Sequence, residues 1–263
     1  AAGACDRVVA HMMIPSGVVV AALCRRAGVP FEIYGHGTDV DVLVAAPAVL
    51  RRALERRFAA ATAIHVPSLD KRRRLVAALP ALAGRCHVAT MAHTVPVAAR
   101  PRDPVPGSVL FLGRLIRQKG VAELVDAVAR LGPGASLVVA GDGPERTRLQ
   151  ARAARAGIDA RFVGFVEGEA KQALLAEAAV VCVPSREVGC LSEGAPLVVL
   201  EARAQRVPVV ATRVGGIPEL AAGDDGITLV RPGDAAALAD ALAQRLRAEV
   251  ATPARVPAIS LAG

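Results

Sequence analysis

An α/β fold built on a doubly wound parallel sheet is predicted by two features of the sequence. Short apolar runs without polar alternation recur after residue 104, as expected of strands buried on both faces. Each run is followed by a segment with the 3.6-residue period of a helix, and this regular exchange implies parallel strands joined by crossover helices. The ligand of such a sheet belongs at the carboxyl ends of its strands.

The strands are expected at Val109 to Leu112, Ser136 to Ala140, Ala160 to Val163, Val180 to Val183, Pro208 to Ala211 and Ile227 to Val230. The helices between them fall at Gly120 to Leu131, Pro144 to Ala156, Glu169 to Ala178, Pro196 to Gln205, Ile217 to Ala221 and Asp234 to Ala248. Upstream the alternation is weaker, with strands near Arg7 to Ala10, Phe31 to Tyr34, Ala63 to Val66 and His87 to Ala89. The segment from Arg100 to Gly107 holds Pro101, Pro104 and Pro106. Proline fixes φ and removes a backbone donor, so this segment reads as a linker. The expected division is therefore an N-terminal domain with linker over 1–103, a second domain over 104–250 and an Ala-rich tail over 251–263. The chain begins without Met and runs at once into a strand pattern, which predicts a fragment or a trimmed chain.

Composition narrows the functions. The 263 residues carry a net charge of +8, with 53% apolar and 21% charged residues, too apolar for disorder. Aromatic residues are only 2%: Tyr34, five Phe and no Trp. Single-stranded nucleic acid needs flat side chains for stacking, so nucleic acid is not an expected partner. The five cysteines are scattered without a CxxC pair, which fits buried thiols in a reducing cytoplasm. The longest apolar run, Val8 to Cys24, is interrupted by His11, Pro15, Ser16 and Gly17 and is too short to span a bilayer. A cytoplasmic protein is expected.

Three junctions carry candidate chemistry. In Ser192-Glu193-Gly194-Ala195-Pro196-Leu197 through Glu201, Pro196 stands where the first helical residue belongs. The amides of Gly194, Ala195 and Leu197 then face an anion at a helix start. Glu201, five residues after Pro196, can accept both hydrogen bonds of a ribose diol, and Glu193 can reach a second set of hydroxyls. An exposed helix residue and a loop solvator account for the two equally well. In Gly113-Arg114 through Lys119-Gly120, two cations follow a buried strand, and fixed positive charge there suits a diphosphate. Taken alone, Arg114 and Lys119 read first as solvated loop charges in a basic protein. Gly141-Asp142-Gly143-Pro144 is read as a turn opening a helix, and the paired glycines of Gly215-Gly216-Ile217-Pro218-Glu219 would let backbone approach a ligand.

Taken in series, these motifs resemble the retaining, nucleotide-sugar-dependent glycosyltransferases of group 1, family 4. The resemblance covers nearly all of residues 104–248, and it reaches upstream to Tyr34-Gly35-His36-Gly37-Thr38-Asp39-Val40, which is similar to the family's HG(S/T)D segment. The loop before EGAPLVVLE is most similar to members that build exopolysaccharide. The resemblance implies a GT-B fold, with a complete C-terminal Rossmann-like domain and a partial N-terminal one. It implies a UDP- or GDP-sugar as co-substrate, a glycan or lipid-linked acceptor, and no metal or other cofactor. Carried over, Arg114 and Lys119 grip the diphosphate after Gly113. The backbone of Gly194 to Leu197 adds the helix-end contribution, Glu201 holds the ribose and Glu193 the sugar. Gly164 and Phe165 border the base, and His36 meets the sugar from the N-terminal domain.

The sequence departs from that family in places. Only some 35 residues precede His36, Gln205-Arg206 replaces a pair of small residues, and Thr228 stands where Gly is usual. A remnant that binds nucleotide sugar without transfer, or a subunit that needs a partner, therefore stays beside the transferase reading. A 2-epimerase lacks support in carboxylates, and a dehydrogenase lacks a GxGxxG after any strand. The basic runs Arg51-Arg52, Arg56-Arg57 and Lys71 to Arg74 would dock against anionic lipid at the inner face of the membrane. A solvated helix face explains them equally.

Overall fold

A computed structural model describes residues 5–89 and 102–251, with side chains to residue 248. Among these residues the chain forms two compact α/β units. One comprises 5–89 together with Ser185–Leu197 and Arg213–Asp224; the other comprises 102–184, Val198–Thr212 and the residues from Asp225 on.

The first unit has a four-stranded parallel sheet of β1 (Val8–His11), β2 (Phe31–Tyr34), β3 (Ala63–Val66) and β4 (Cys86–Val88), in that order. Its helices are α1 (Val18–Ala27), α2 (Thr38–Ala45), α3 (Ala48–Phe58) and α4 (Leu69–Ala78). Burial alternates along these strands rather than covering both faces. Ala10, Phe31, Ile33, Ile64, Val66 and Cys86 enter a core with Leu43, Phe58 and Leu75. The opposite face carries His11, Tyr34, His65 and His87, brought side by side by the register. Tyr34 and His65 stack with ring centroids 4.3 Å apart.

The start of α4 is capped twice. Ser68 Oγ accepts the Lys71 amide at 3.2 Å, and Glu219 accepts the amides of Leu69 and Asp70 at 2.6 and 2.7 Å. Three of the four donors that a helix start leaves open are thus satisfied, and the negative charge of Glu219 also suits the helix dipole.

The second unit is built on β5 (Ser108–Leu112), β6 (Ser136–Ala140), β7 (Asp159–Gly164), β8 (Val180–Val183), β9 (Val209–Thr212) and β10 (Ile227–Val230). All pairs are parallel and the spatial order is β10-β9-β8-β5-β6-β7. The expected strands are all present, with ends shifted by at most one residue. Helices α5 (Val121–Leu131), α6 (Arg146–Ala156), α7 (Gly168–Glu177), α8 (Leu197–Ala204), α9 (Ile217–Leu220) and α10 (Ala235–Ala251) follow the strands in turn, α9 lying in a segment that belongs to the first unit. The core of Val109, Phe111, Val125, Val128, Val139, Val180 and Leu242 is aliphatic, as the composition requires. Arg152 and Asp126 tie α6 to α5 through two hydrogen bonds, and this pairing raises the arginine's affinity for its proton.

Residues 102–107 are not a free linker. Arg102 donates to the carbonyls of Ala178 and Arg206, and the Asp103 and Val105 amides donate to Ala176 and Glu177. The guanidinium thus sits between a carbonyl left open after α7 and one that follows α8, and it fastens the segment to the second unit. The rest of the proposed linker and the expected tail lie outside the described residues.

Candidate functional site

The strand order of the second unit has a switch point. From β5 the chain proceeds outward through β6 and β7, and then returns to place β8 on the other side of β5. The crevice at the carboxyl ends of β5 and β8 is where a sheet of this topology binds its ligand. Gly113 and Arg114 leave the end of β5, and Pro184 leaves the end of β8. The two exits touch: a side chain at Gly120, at φ +66°, would have its Cβ 1.9 Å from the Pro184 carbonyl. Only a residue without Cβ lets Lys119 turn in beside that strand end.

Arg114 is exposed and Lys119 half-buried at this crevice. Neighbouring loops brace the segment. Gly113 N donates to Ala140 O at 2.9 Å, Leu115 N to Asp142 O at 2.8 Å, and Gly141 N to Gly164 O at 2.6 Å. The Gly141–Pro144 turn, read from the sequence as a structural element, thus lies between the segment bearing Arg114 and the candidate base-side residue Gly164. Phe165 is exposed, and Arg146 lies beside Gly164, where a Cβ would meet its Nη1 at 3.5 Å.

Glu201 is buried in α8, and its carboxylate accepts a hydrogen bond from Lys171 Nζ of α7 at 2.7 Å. Gln205, the residue after α8, likewise donates its side-chain amide to Gln172 of α7. The residue read as a ribose ligand therefore already carries a cation, which no spacing in the sequence indicated. Helix α8 begins at Leu197, one residue later than expected, so Pro196 precedes the helix instead of opening it. The open amides of the helix start accordingly belong to Leu197 and the residues after it rather than to Gly194 and Ala195.

Glu193, Gly194 and His36 lie in the first unit. Glu193 is 6% exposed and accepts Ser185 Oγ at 2.7 Å. Its own carbonyl accepts the Gly216 amide at 3.3 Å, and a Cβ at Gly215, at φ +53°, would sit 2.0 Å from that oxygen. The glycine pair thus lets backbone approach backbone, where the sequence pointed to a ligand. Gly37 and Gly194 are neighbours, a Cβ on Gly37 lying 3.7 Å from Gly194 Cα. The His36 segment and the Glu193 segment are therefore brought together.

The HG segment turns on a carboxylate the sequence did not single out. Asp39 accepts the His36 amide at 2.8 Å and the Met13 amide at 2.6 Å, which fixes the turn from β2 into α2. The His36 ring is exposed, and its Nε2 lies 3.1 Å from Nδ1 of His11 at the end of β1. Asp41, also buried, pairs with the fully buried Lys71 at 2.5 Å. The run Lys71 to Arg74 is accordingly not a cationic face. Lys71 is interior, Arg72 donates to the Cys86 and Ala83 carbonyls, and Arg74 pairs with Asp70 and Glu187. Among the described residues no group of three or more His, Cys, Asp or Glu is placed to hold a metal, and no helix is long and apolar enough to cross a membrane.

Comparison with known proteins was consistent with this geometry. TuaC of Bacillus subtilis, named for glycosyl transfer in teichuronic acid biosynthesis, is 28% identical over 246 residues, which is 90% of this chain and 60% of TuaC. A glycogen synthase of Mycobacterium tuberculosis is 37% identical over 153 residues, 56% of this chain and 36% of the synthase. The chain therefore spans 60% or less of the length of these curated relatives. Among solved structures, HepE of Anabaena in complex with UDP-glucose matches with a TM-score of 0.77 at 22% identity, over 91% of this chain and 68% of HepE. Sucrose-phosphate synthase of Thermosynechococcus elongatus matches with a TM-score of 0.70 at 24% identity, over 94% of this chain and 69% of the synthase. These likenesses identify the fold as α/β of the GT-B type, with a Rossmann-like sheet in each unit. Residues 106–248, more than half of the sequence and the whole of the sheet with the switch point, match the family described as glycosyl transferases group 1, and the chain belongs to that family.

Proposed function

We propose that this chain transfers a hexosyl unit from a UDP- or GDP-sugar to a glycan or lipid-linked acceptor, with retention of anomeric configuration, as the family 4 members of group 1 do. The observation that carries the reading is the pair of cations near the switch point, Arg114 after β5 and Lys119 next to Gly120, whose backbone lies close to the Pro184 carbonyl at the end of β8. UDP is the favoured carrier, since HepE shares the fold and is solved with UDP and with UDP-glucose.

The costly event is the breaking of the anomeric C–O bond as negative charge builds on the leaving diphosphate. Arg114 can meet two oxygens with its planar fork, and Lys119 adds a point charge. Charges fixed before the reaction need no reorganisation during it, and one such donor is worth about 3 kcal/mol, or some hundredfold in rate. Glu201, one oxygen of which is paired with Lys171, takes the ribose hydroxyls, Gly164 and Phe165 border the base, and Glu193 and His36 contact the sugar. The acceptor proton passes to the leaving phosphate on the same face, so no protein nucleophile is required. These cations supply the positive charge themselves, and the reaction is proposed to run without a metal.

Calorimetry with UDP and GDP and a donor-turnover assay test the reading. UDP should bind, Arg114→Ala should weaken it at least tenfold, and turnover should survive EDTA. Binding of neither nucleotide would remove the donor site, and binding without turnover in the presence of acceptor would make the chain a binding protein. Contact with anionic membrane is also proposed, now through α1 and α3. Val49 and Leu23 stand exposed there at 81% and 61%, on helices that also carry Arg25, Arg26, Arg52, Arg56 and Arg57. Co-sedimentation with phosphatidylglycerol vesicles, unchanged on replacing Arg52, Arg56 and Arg57 by Ser, would end that part.

A further inference from the structure

Lys71 is the only lysine or arginine among the described residues with no accessible surface, and the site described above gives it no task. Its ammonium has three hydrogens and three partners: Asp41 Oδ1 at 2.5 Å, Ser192 Oγ at 2.9 Å and the Ser192 carbonyl at 3.1 Å. The other oxygen of Asp41 accepts the Ser192 amide at 2.9 Å. The peptide units on both sides of Ser192 are therefore gripped at once, one through its N–H and the other through its C=O.

An ion pair this deep is a poor way to gain stability, because desolvating both charges offsets their attraction; its best-attested use is to fix one arrangement among several. Here the arrangement fixed is that of the next residues. Glu193 follows Ser192 directly, with its carboxylate on Ser185 and its carbonyl on Gly216, and Gly194 packs against Gly37 of the HG segment. Through Ser192 the loop is also tied to α2, which opens from the same segment as His36, and to α4. We infer that Asp41 and Lys71 are positioning residues for Glu193. They hold the 192–194 backbone so that the sugar-binding carboxylate and the His36 turn keep one mutual geometry. The inference rests on the role proposed for Glu193 and deepens it.

The discriminating variant replaces the pair by apolar residues of similar size, Asp41→Leu with Lys71→Met. Lys71→Met alone strands a buried carboxylate and should lower the thermal midpoint. The double variant should recover most of that loss, since nothing charged is left unpaired. Amide exchange over residues 190–195 should nevertheless stay at least tenfold faster than in the parent, with exchange in β5 and β8 unchanged. Turnover of UDP-sugar should fall about tenfold in kcat while UDP affinity is kept. A residue that only stabilises the fold would move exchange everywhere and would be rescued by the double variant. Parent-like exchange and turnover in the double variant would overturn the proposal. Should that variant not fold, Asp41→Asn decides, because its single acceptor oxygen cannot serve both Lys71 and the Ser192 amide: unchanged exchange over 190–195 would be equally fatal. Absence of turnover in the parent itself would count against the transferase reading, and the exchange comparison would still judge the clamp.

Discussion

His36 shows how much of a candidate site residue is its surroundings. Its backbone is fixed by Asp39 and its ring by His11 across the end of the neighbouring strand. His11→Ala removes that ring partner, and a hydrogen bond of this kind is worth about 1 kcal/mol. Turnover should fall roughly fivefold while nucleotide affinity, read by calorimetry, stays put. The thiols give a second residue-level test. Cys5 and Cys190 are exposed, whereas Cys24, Cys86 and Cys182 are buried. Burial pushes the three interior thiols up from their usual 9.0, Cys182 most strongly. Iodoacetamide on the native protein should therefore label two sites and leave three. The sign for stability follows from the same shifts. The folded chain keeps these thiols neutral while the unfolded chain ionises them above pH 9, so their contribution is whole below that pH and declines above it. Denaturant midpoints at pH 8 and pH 10 would check it.

At the scale of elements, β5, β6 and β8 were readable because each is an apolar run, after at most a leading serine, that stops at Gly113, Gly141 or Pro184, a signal that survives without any knowledge of neighbours. The first unit was harder for a physical reason. Helices α3 and α4 are rich in arginine and bury only a narrow stripe, such as Leu54 and Phe58 or Lys71 and Leu75, so little periodicity shows. Strand β4 begins at Cys86, a residue earlier than expected, because the sulfur faces the core while His87 and Val88 do not. Of the site, the cations and carboxylates of the motifs could be picked out, but their partners could not. Lys71 hides inside a run of four cations, and the contacts Lys171–Glu201 and Lys71–Asp41 each join residues 30 apart. Of the elements at the candidate site, the turn at Gly120 is sensitive to change. Gly120→Ala must move either the backbone or the Pro184 carbonyl and leave a positive φ behind, at about 2 kcal/mol or more. Both the thermal midpoint and UDP affinity should drop; an unaffected affinity would mean that Lys119 is not held there for the ligand.

For the whole molecule, the division into units does not follow the order of the chain. The loops 185–197 and 213–224 leave strands of the second sheet and yet belong to the first unit. A fragment beginning at residue 102 would retain both loops without Asp41, Lys71 or the start of α4. Trypsin should then cut it at Arg186 and Arg213 under conditions where the complete chain resists, and fragments mapped by mass spectrometry would show this. The cap that Glu219 places on Leu69 and Asp70 carries the same fact into the time domain. Some 150 residues separate the carboxylate from the amides it satisfies. On a ribosome adding roughly 5–20 residues per second, that helix would wait on the order of ten seconds or more for its acid to emerge, its first turn meanwhile bonded to water.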